Sequence, residues 1–236
     1  MTDDFVKKND GHMHIALIPD GNRRYAKKKG KPLWYGHYVG AKKIEEFIDW
    51  CGEYDEIKTV SIFALSTENL HRSEDELKHL WKIYKNYLLK SLSSKKIRQQ
   101  QMKVNIFGTE DVWRSDVKQA ARDTMKLTAQ YSRKVINIML SYGSRFEILN
   151  AVSKMAKKRL THSKIADSLF DQYLWVSQPV DLIIRTGGQQ RLSNFLLYQS
   201  AYAEIYFSKT MWPEFSKKEF DRIMRWYFAQ KRKFGK

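Results

Sequence analysis

Two patterns alternate along the chain. Short apolar runs, almost free of polar interruption, occur at 14–18, 59–65, 104–107, 135–140, 181–184 and 204–207. Runs of this kind suit strands buried on both faces. Between most of them apolar residues recur at helical spacing, over 37–54, 73–101, 110–131, 145–160 and 216–230. In the clearest stretch Leu77, Leu80, Trp81, Tyr84, Leu88 and Leu92 fall on one stripe. Strands that alternate with helices connect by right-handed crossovers. The pattern therefore predicts an α/β fold with a mostly parallel central sheet of about six strands flanked by helices. No repeat, low-complexity tract or linker interrupts it, so one domain over 1–236 is expected, with 1–11 a flexible N-terminus.

Composition adds boundaries to this picture. With 236 residues, 42% hydrophobic and 14% aromatic, the chain is long enough for a sizeable core and too apolar for wholesale disorder. The single cysteine, Cys51, excludes an intrachain disulfide and a zinc knuckle, and in "FIDWCGEY" it reads as a small helix residue. No apolar run is long enough to span a bilayer, and "MTDDFVKKNDG" has no apolar signal core, so a cytoplasmic location is expected. A net charge of +17 calls for anionic partners: nucleic acid, lipid headgroups or phosphorylated metabolites. No nucleic-acid motif is present, and no His/Cys metal spacing or nucleophilic triad can be read.

Parallel sheets bind ligands at the carboxyl ends of their strands, which singles out four loops. After Ile18 comes Pro19-Asp20-Gly21-Asn22-Arg23-Arg24. Asp20 is a hard oxygen ligand suited to Mg²⁺ and the arginines match phosphate, but a turn with a surface ion pair explains the same residues. After Leu65 comes Ser66-Thr67-Glu68-Asn69-Leu70-His71-Arg72, suited to orienting a substrate or moving a proton. Ser73 with Glu76 is a capping box for the next helix and needs no function. After Ile184, Arg185-Thr186-Gly187-Gly188 leads to Arg191-Leu192-Ser193-Asn194, which reads equally as a diphosphate cradle or a glycine-rich turn. Glu204 interrupts an apolar-aromatic run. It is either a second oxygen ligand beside Asp20 or half of a buried ion pair with Arg185 or Arg191.

These loops together resemble the cis-prenyltransferases of the undecaprenyl/dehydrodolichyl diphosphate synthase type. The resemblance rests on "DGNRRYAKKKGK", "GHYVGA", "FALSTENLHR", "SYGSR", "DLIIRTGGQQRLSNFLLYQSAYAEIYF" and "WPEF", in family order from His14 to Phe234. It implies Mg²⁺-dependent condensation of an allylic prenyl diphosphate with isopentenyl diphosphate, giving a new cis double bond. Asp20 matches the family's essential aspartate. Gly21, Asn22, Arg23, Arg24 and His37, with neighbouring Tyr25 and Leu33, match the allylic diphosphate pocket. Ser66 and Asn69 match residues near the proton transfer, with Thr67, Glu68, Leu70 and Arg72 beside them. Arg185, Arg191, Leu192 and Ser193 match the isopentenyl diphosphate cradle, and Glu204 the second metal carboxylate. The stripe on 73–101 lines part of an apolar tunnel or is core.

Departures from the family pattern are as informative. Leu33 stands where many members carry an arginine, Leu70 where bacterial members carry a tryptophan, and Gln190 where they supply a histidine to the metal. The "PDGNRR" form is similar to archaeal and eukaryotic members. The departures leave two other readings open: a same-fold transferase using another acceptor, and a non-catalytic subunit of a heteromeric enzyme. Lys233-Phe234-Gly235 resembles the family segment that completes a partner's site, implying a homodimer. Basic clusters at Lys95, Lys96, Arg98 and at Lys157, Lys158, Arg159 fit either a solvated face or a peripheral contact at the inner membrane face.

Overall fold

Strands β1 (Met13–Ile18), β2 (Ile57–Ser66), β3 (Met102–Phe107), β4 (Lys134–Tyr142), β5 (Leu182–Arg185) and β6 (Glu204–Phe207) form one sheet in the order β3-β4-β2-β1-β5-β6. They belong to a computed structural model that describes residues 11–158 and 166–230. Every pairing is parallel. Each apolar run expected from the sequence is one of these strands. The chain leaves β1 on one side as β2 and returns on its other side as β5. The tips of β1 and β5 therefore flank a switch point, where a crevice opens because the connections diverge.

Side chains alternate across the sheet and define two cores. Ile15 and Leu17, with Val60, Ile62, Val104, Ile106 and Ile136, face helices α2 (Leu33–Gly52), α3 (Glu74–Leu92), α5 (Ser115–Thr128) and α8 (Lys217–Phe228). Phe47, Trp50, Trp212, Phe215 and Phe220 pack there with their ring centres 5.2–6.4 Å apart. On the other face Ala16, Ile18, Phe63, Met139 and Ile183 meet Val176, Phe195 and Leu196. A buried polar ladder crosses this second face. Asn105 donates to Asn137 at 2.9 Å, Asn137 to Ser61 at 3.0 Å, and Ser61 lies 2.7 Å from His14 Nε2. Because His14 Nδ1 faces the Pro179 carbonyl at 3.1 Å, it carries the proton and donates, so Nε2 of the neutral ring accepts from the Ser61 hydroxyl.

The helices follow the expected spacing with local changes. The stretch 73–101 divides into α3 and α4 (Lys95–Gln99) because Ser94 caps a new helix, accepting from the Ile97 N–H at 3.3 Å. The stretch 110–131 opens as a 3₁₀ turn, Glu110–Val112, before α5, and 145–160 becomes α6 (Ser144–Lys157). Short helices α1 (Asn22–Lys28) and α7 (Asp167–Asp171) complete the chain. The expectations for residues 1–10, for Arg159 and for the Lys233–Gly235 tail fall outside the described residues. Gly36 and Gly40 let α1 lie directly on α2. A Cβ at Gly36 would stand 1.9 Å from the Asn22 carbonyl oxygen, and one at Gly40 2.2 Å from Asn22 Oδ1.

Candidate active site

The loops after β1, β2 and β5 converge on a cavity of about 500 Å³. Asp20, Gly21, Asn22, Arg23, Arg24, His37, Ser66, Asn69, Arg72, Arg185, Arg191 and Ser193 line it, so most of the expected site residues meet in one place. Lys27, which the sequence reading passed over, also reaches its wall. The cavity has six guanidinium or ammonium groups and a single carboxylate, Asp20. Such an imbalance in a concave, partly desolvated space selects a multiply charged anion.

Asp20 is held from several sides. Its Oδ2 accepts from Arg185 at 2.9 Å, and its Oδ1 from the Gly21 N–H at 2.6 Å and from Arg24 at 3.4 Å. The Thr186 hydroxyl and the Trp212 N–H donate to its carbonyl, at 2.8 and 2.9 Å. Gly187 supports the arrangement: its φ is +81°, and a Cβ there would lie 2.9 Å from the Asp20 carbonyl and 2.7 Å from Arg24. Thr186 and Gly187 thus position Asp20, a role legible only in that glycine follows directly on the strand. Arg185 is 4% exposed and also donates to Ser193 Oγ at 2.8 Å and to the Arg191 carbonyl. Its Nε–H is buried without an acceptor, an unmet donor at the base of the cradle.

Glu76 is a finding of the structure. Ser73 caps α3 through the Glu76 N–H at 3.4 Å, but the Glu76 carboxylate does not close the box. It turns inward, 3.2 Å from His37 Nε2 and 3.1 Å from Arg72, with Arg23 Nε at 3.5 Å. Burial pulls the His37 imidazole below its ordinary pKa, against the opposing pull of Glu76. Glu68 is pushed up by burial, but bonds from its own N–H, Ser66, Asn194 and Thr67 leave it below the ordinary carboxylate range. Asn194 donates to Glu68 at 3.2 Å, tying the loop after β2 to the loop after β5.

Seven expected residues stay off the cavity wall. Thr67, Glu68 and Leu70 lie on the 3₁₀ turn Thr67–His71, Leu70 packing against the first core. Tyr25 sits on α1 under Lys29, Leu33 opens α2, and Leu192 packs against the second core. Glu204 corrects an expectation. It starts β6 opposite Leu182, whereas Arg185 pairs with Ile18 at the far end of the ladder. Three registers of strand, roughly 10 Å, separate Glu204 from the level of Arg185. Within one chain Glu204 thus stands at the other end of the strands from Asp20, and the buried arginine pairs with Asp20.

A metal fits this site in one way. Among the described residues no group of three His, Cys, Asp or Glu side chains could cage an ion. Asp20 supplies one carboxylate, and Mg²⁺ is commonly held by one or two carboxylates together with substrate phosphates and water. The donor set suits a cation that arrives with a diphosphate.

A second cavity, about 550 Å³, leads off the first and shares Pro19, Asn22, His37 and Ala64 with it. Ile44 and Ile48 of α2, Leu80, Tyr84 and Leu88 of α3 and the sheet residues Ile62, Val104, Ile106, Ile136, Ile138 and Leu140 line it. The register shifts along β2 beside Ala64, a bulge that turns this residue to the junction. At the other end of the tunnel α2 is tied to α3 and α4 by ion pairs, Lys90 to Glu45 at 2.6 Å and Lys96 to Asp49. The helix stripe is therefore both core and tunnel wall.

A cationic cavity at the strand tips with an apolar cavity behind it defines a class of α/β protein, one whose site suits an anion carrying an apolar tail. Comparison with known proteins gives the family. The model described as "Putative undecaprenyl diphosphate synthase" matches residues 18–235. The "tritrans,polycis-undecaprenyl-diphosphate synthase (geranylgeranyl-diphosphate specific)" of Pyrococcus furiosus is 38% identical over 94% of this chain and 86% of its own length. The protein of the same name from Thermococcus kodakarensis is 38% identical over 98% of this chain and 89% of its own. Among solved structures, lavandulyl diphosphate synthase from Lavandula x intermedia in complex with dimethylallyl diphosphate has a TM-score of 0.87 at 29% identity. It covers 94% of this chain and 98% of that one. A probable undecaprenyl diphosphate synthase from Campylobacter jejuni has a TM-score of 0.79 at 31% identity, with the same coverage. The chain belongs to the undecaprenyl diphosphate synthase family of prenyltransferases.

Proposed function

We propose that this protein condenses an allylic prenyl diphosphate with isopentenyl diphosphate and leaves each new double bond cis. The observation that carries this is the adjacency of the two cavities, which share Pro19, Asn22, His37 and Ala64, with charge at the strand tips and apolar surface behind them. The allylic C–O bond breaks and its electron pair leaves with the diphosphate. The terminal π pair of isopentenyl diphosphate forms the C–C bond, and a proton on the carbon next to the resulting cation passes to a diphosphate oxygen. Arg23, Arg24 and Arg72 receive the donor diphosphate, with His37 on the wall beside them, and Arg185, Arg191 and Ser193 receive the acceptor. Ser66 and Asn69, on the wall nearest the tunnel residue Ala64, orient the carbon that loses its proton. Asp20 is the residue that would hold Mg²⁺, and the ion would supply charge stabilisation to the leaving diphosphate. The specificity carried in the archaeal relatives' name makes geranylgeranyl diphosphate the first primer to try.

The test incubates the protein with Mg²⁺, labelled isopentenyl diphosphate and allylic primers of several lengths. A ladder of longer prenyl diphosphates is expected. Single transfer to another acceptor would instead support the same-fold alternative, and activity only with an added partner would support the subunit reading. The same reading includes a homodimer: Phe146, Leu149 and Val152 make an exposed stripe on α6, whose first residue, Ser144, accepts from the N–H of exposed Leu197. Light scattering of wild type and Leu149→Arg measures it, a dimer and a monomer being expected. No helix among the described residues is long and apolar enough to cross a membrane. Lys95, Lys96 and Arg98 on α4 offer a peripheral contact with anionic lipid, to be measured by vesicle co-sedimentation.

A further inference from the structure

Behind the donor side of the cationic cavity lies a carboxylate that does not face it. Glu76 is 5% exposed, is absent from the cavity wall, and meets groups from three other segments. Arg23 comes from α1, His37 from α2 and Arg72 from the end of the turn after β2. One Arg72 amino group lies 3.1 Å from Glu76 and 3.2 Å from His37 Nε2, while the guanidinium as a whole lines the cavity. Ionised Glu76 accepts only, so His37 presents its Nε2–H to it and Nδ1 is left without a proton. The His37 bond, outweighing the opposing effect of burial, and the nearby Arg72 and Arg23 charges hold the Glu76 carboxyl below the ordinary range.

We propose that Glu76 is a positioning residue, a fixed internal counter-charge that holds Arg72, His37 and Arg23 in the geometry the donor diphosphate meets. The proposal rests on the prenyl-transfer reading for the identity of the donor, and two effects of Glu76 oppose each other. Its charge lowers the cavity's attraction for an anion, while its bonds keep the guanidinium groups ordered. Order prevails here, because a fork that must match phosphate oxygens loses affinity when it is free to swing into water. Arg185 and Arg191 lie on the other loop and have no contact with Glu76, so the acceptor side is untouched by its removal.

The test compares wild type, Glu76→Ala, Glu76→Gln, Arg72→Ala and the double variant Glu76→Ala/Arg72→Ala. Affinity for geranylgeranyl diphosphate is measured calorimetrically without acceptor, and KM is measured for each substrate. Glu76→Ala is expected to weaken donor binding and raise donor KM at least about tenfold, the weight of one charge-assisted hydrogen bond. Isopentenyl diphosphate KM stays within about twofold on the same argument, and Glu76→Gln, which keeps an acceptor, falls between. In the Arg72→Ala background the loss of Glu76 adds less than it does in wild type. A folded Glu76→Ala that binds the donor as tightly as wild type, or tighter, overturns the proposal, as does an equal rise in both KM values. If Glu76→Ala does not fold, Glu76→Gln with wild-type donor affinity overturns it alone. Wild-type protein that binds the donor but transfers nothing refutes the transfer reading instead, and the calorimetric series still decides the role of Glu76.

Discussion

Asp20 illustrates how the residues of this site are bound to one another. Its carboxylate neutralises Arg185, so Asp20→Ala removes the carboxylate proposed to hold Mg²⁺ and also strips a 4%-exposed guanidinium of its partner. Prenyl transfer is expected to fall by orders of magnitude in both Asp20→Ala and Asp20→Asn, measured as product per unit time. Only the alanine variant is expected to melt measurably lower, because asparagine keeps an oxygen toward Arg185. Near-wild-type transfer in Asp20→Asn would sink the assignment. His14 makes a different prediction. Burial lowers its pKa from 6.5 to about 4, so the unfolded chain takes up a proton that the folded chain refuses. The stabilisation is complete above pH 6.5 and is lost as pH falls from there toward 4, a change of roughly 3 kcal/mol. Denaturation measured at several pH values is expected to show this slope in wild type and a shallower one in His14→Asn. Single residues were legible in the sequence when their chemistry lay at a strand tip, as for Asp20 and Arg185. Glu76 was hidden because its place in a capping box already accounted for it, and Glu204 misled because spacing along a strand does not say which end of the sheet it marks.

Helices and strands are placed by patterns that span many residues, which is why every strand and the longer helices could be read from the sequence, their ends falling within about five residues except where 73–101 divides into α3 and α4. The departures have local causes. Ser94 competes for the backbone and breaks the long helix, and α1 is too short for periodicity to reveal. What the sequence concealed at this scale is the contact between α1 and α2, a matter of absent side chains. Gly36→Ala would drive a methyl group into the Asn22 carbonyl, and backbone cannot yield as a flexible side chain can. Overpacking of this kind typically costs about 1–3 kcal/mol. Here the displaced segment carries Asn22 and adjoins Asp20. Gly36→Ala is therefore expected to lose transfer activity well beyond its loss of stability, read by comparing turnover with melting temperature.

Across the whole molecule, parallel topology brings distant loops together: Ile18 and Arg185 are ladder partners although far apart in sequence. Sequence reading alone placed both at strand ends, and the strand order made them neighbours. The +17 charge finds part of its use in the cavity, whose cations outnumber its single carboxylate. The far end of the tunnel bears on product size. A ruler with a rigid stop would give one chain length, but the wall of this tunnel includes the ion pairs Lys90–Glu45 and Lys96–Asp49, all four side chains about 40% exposed or more. Exposed pairs of this kind contribute about 0–1 kcal/mol each, whereas one further isoprene unit, at about 0.8 kcal/mol per buried carbon, gains several. The growing tail can therefore push its own stop aside. Raising the salt concentration, or replacing Lys90 and Lys96 by alanine, is expected to shift the product ladder toward longer chains; an unchanged ladder would mark a hard floor deeper in the sheet. Chain length in such an enzyme is a balance of forces, and the medium can adjust it.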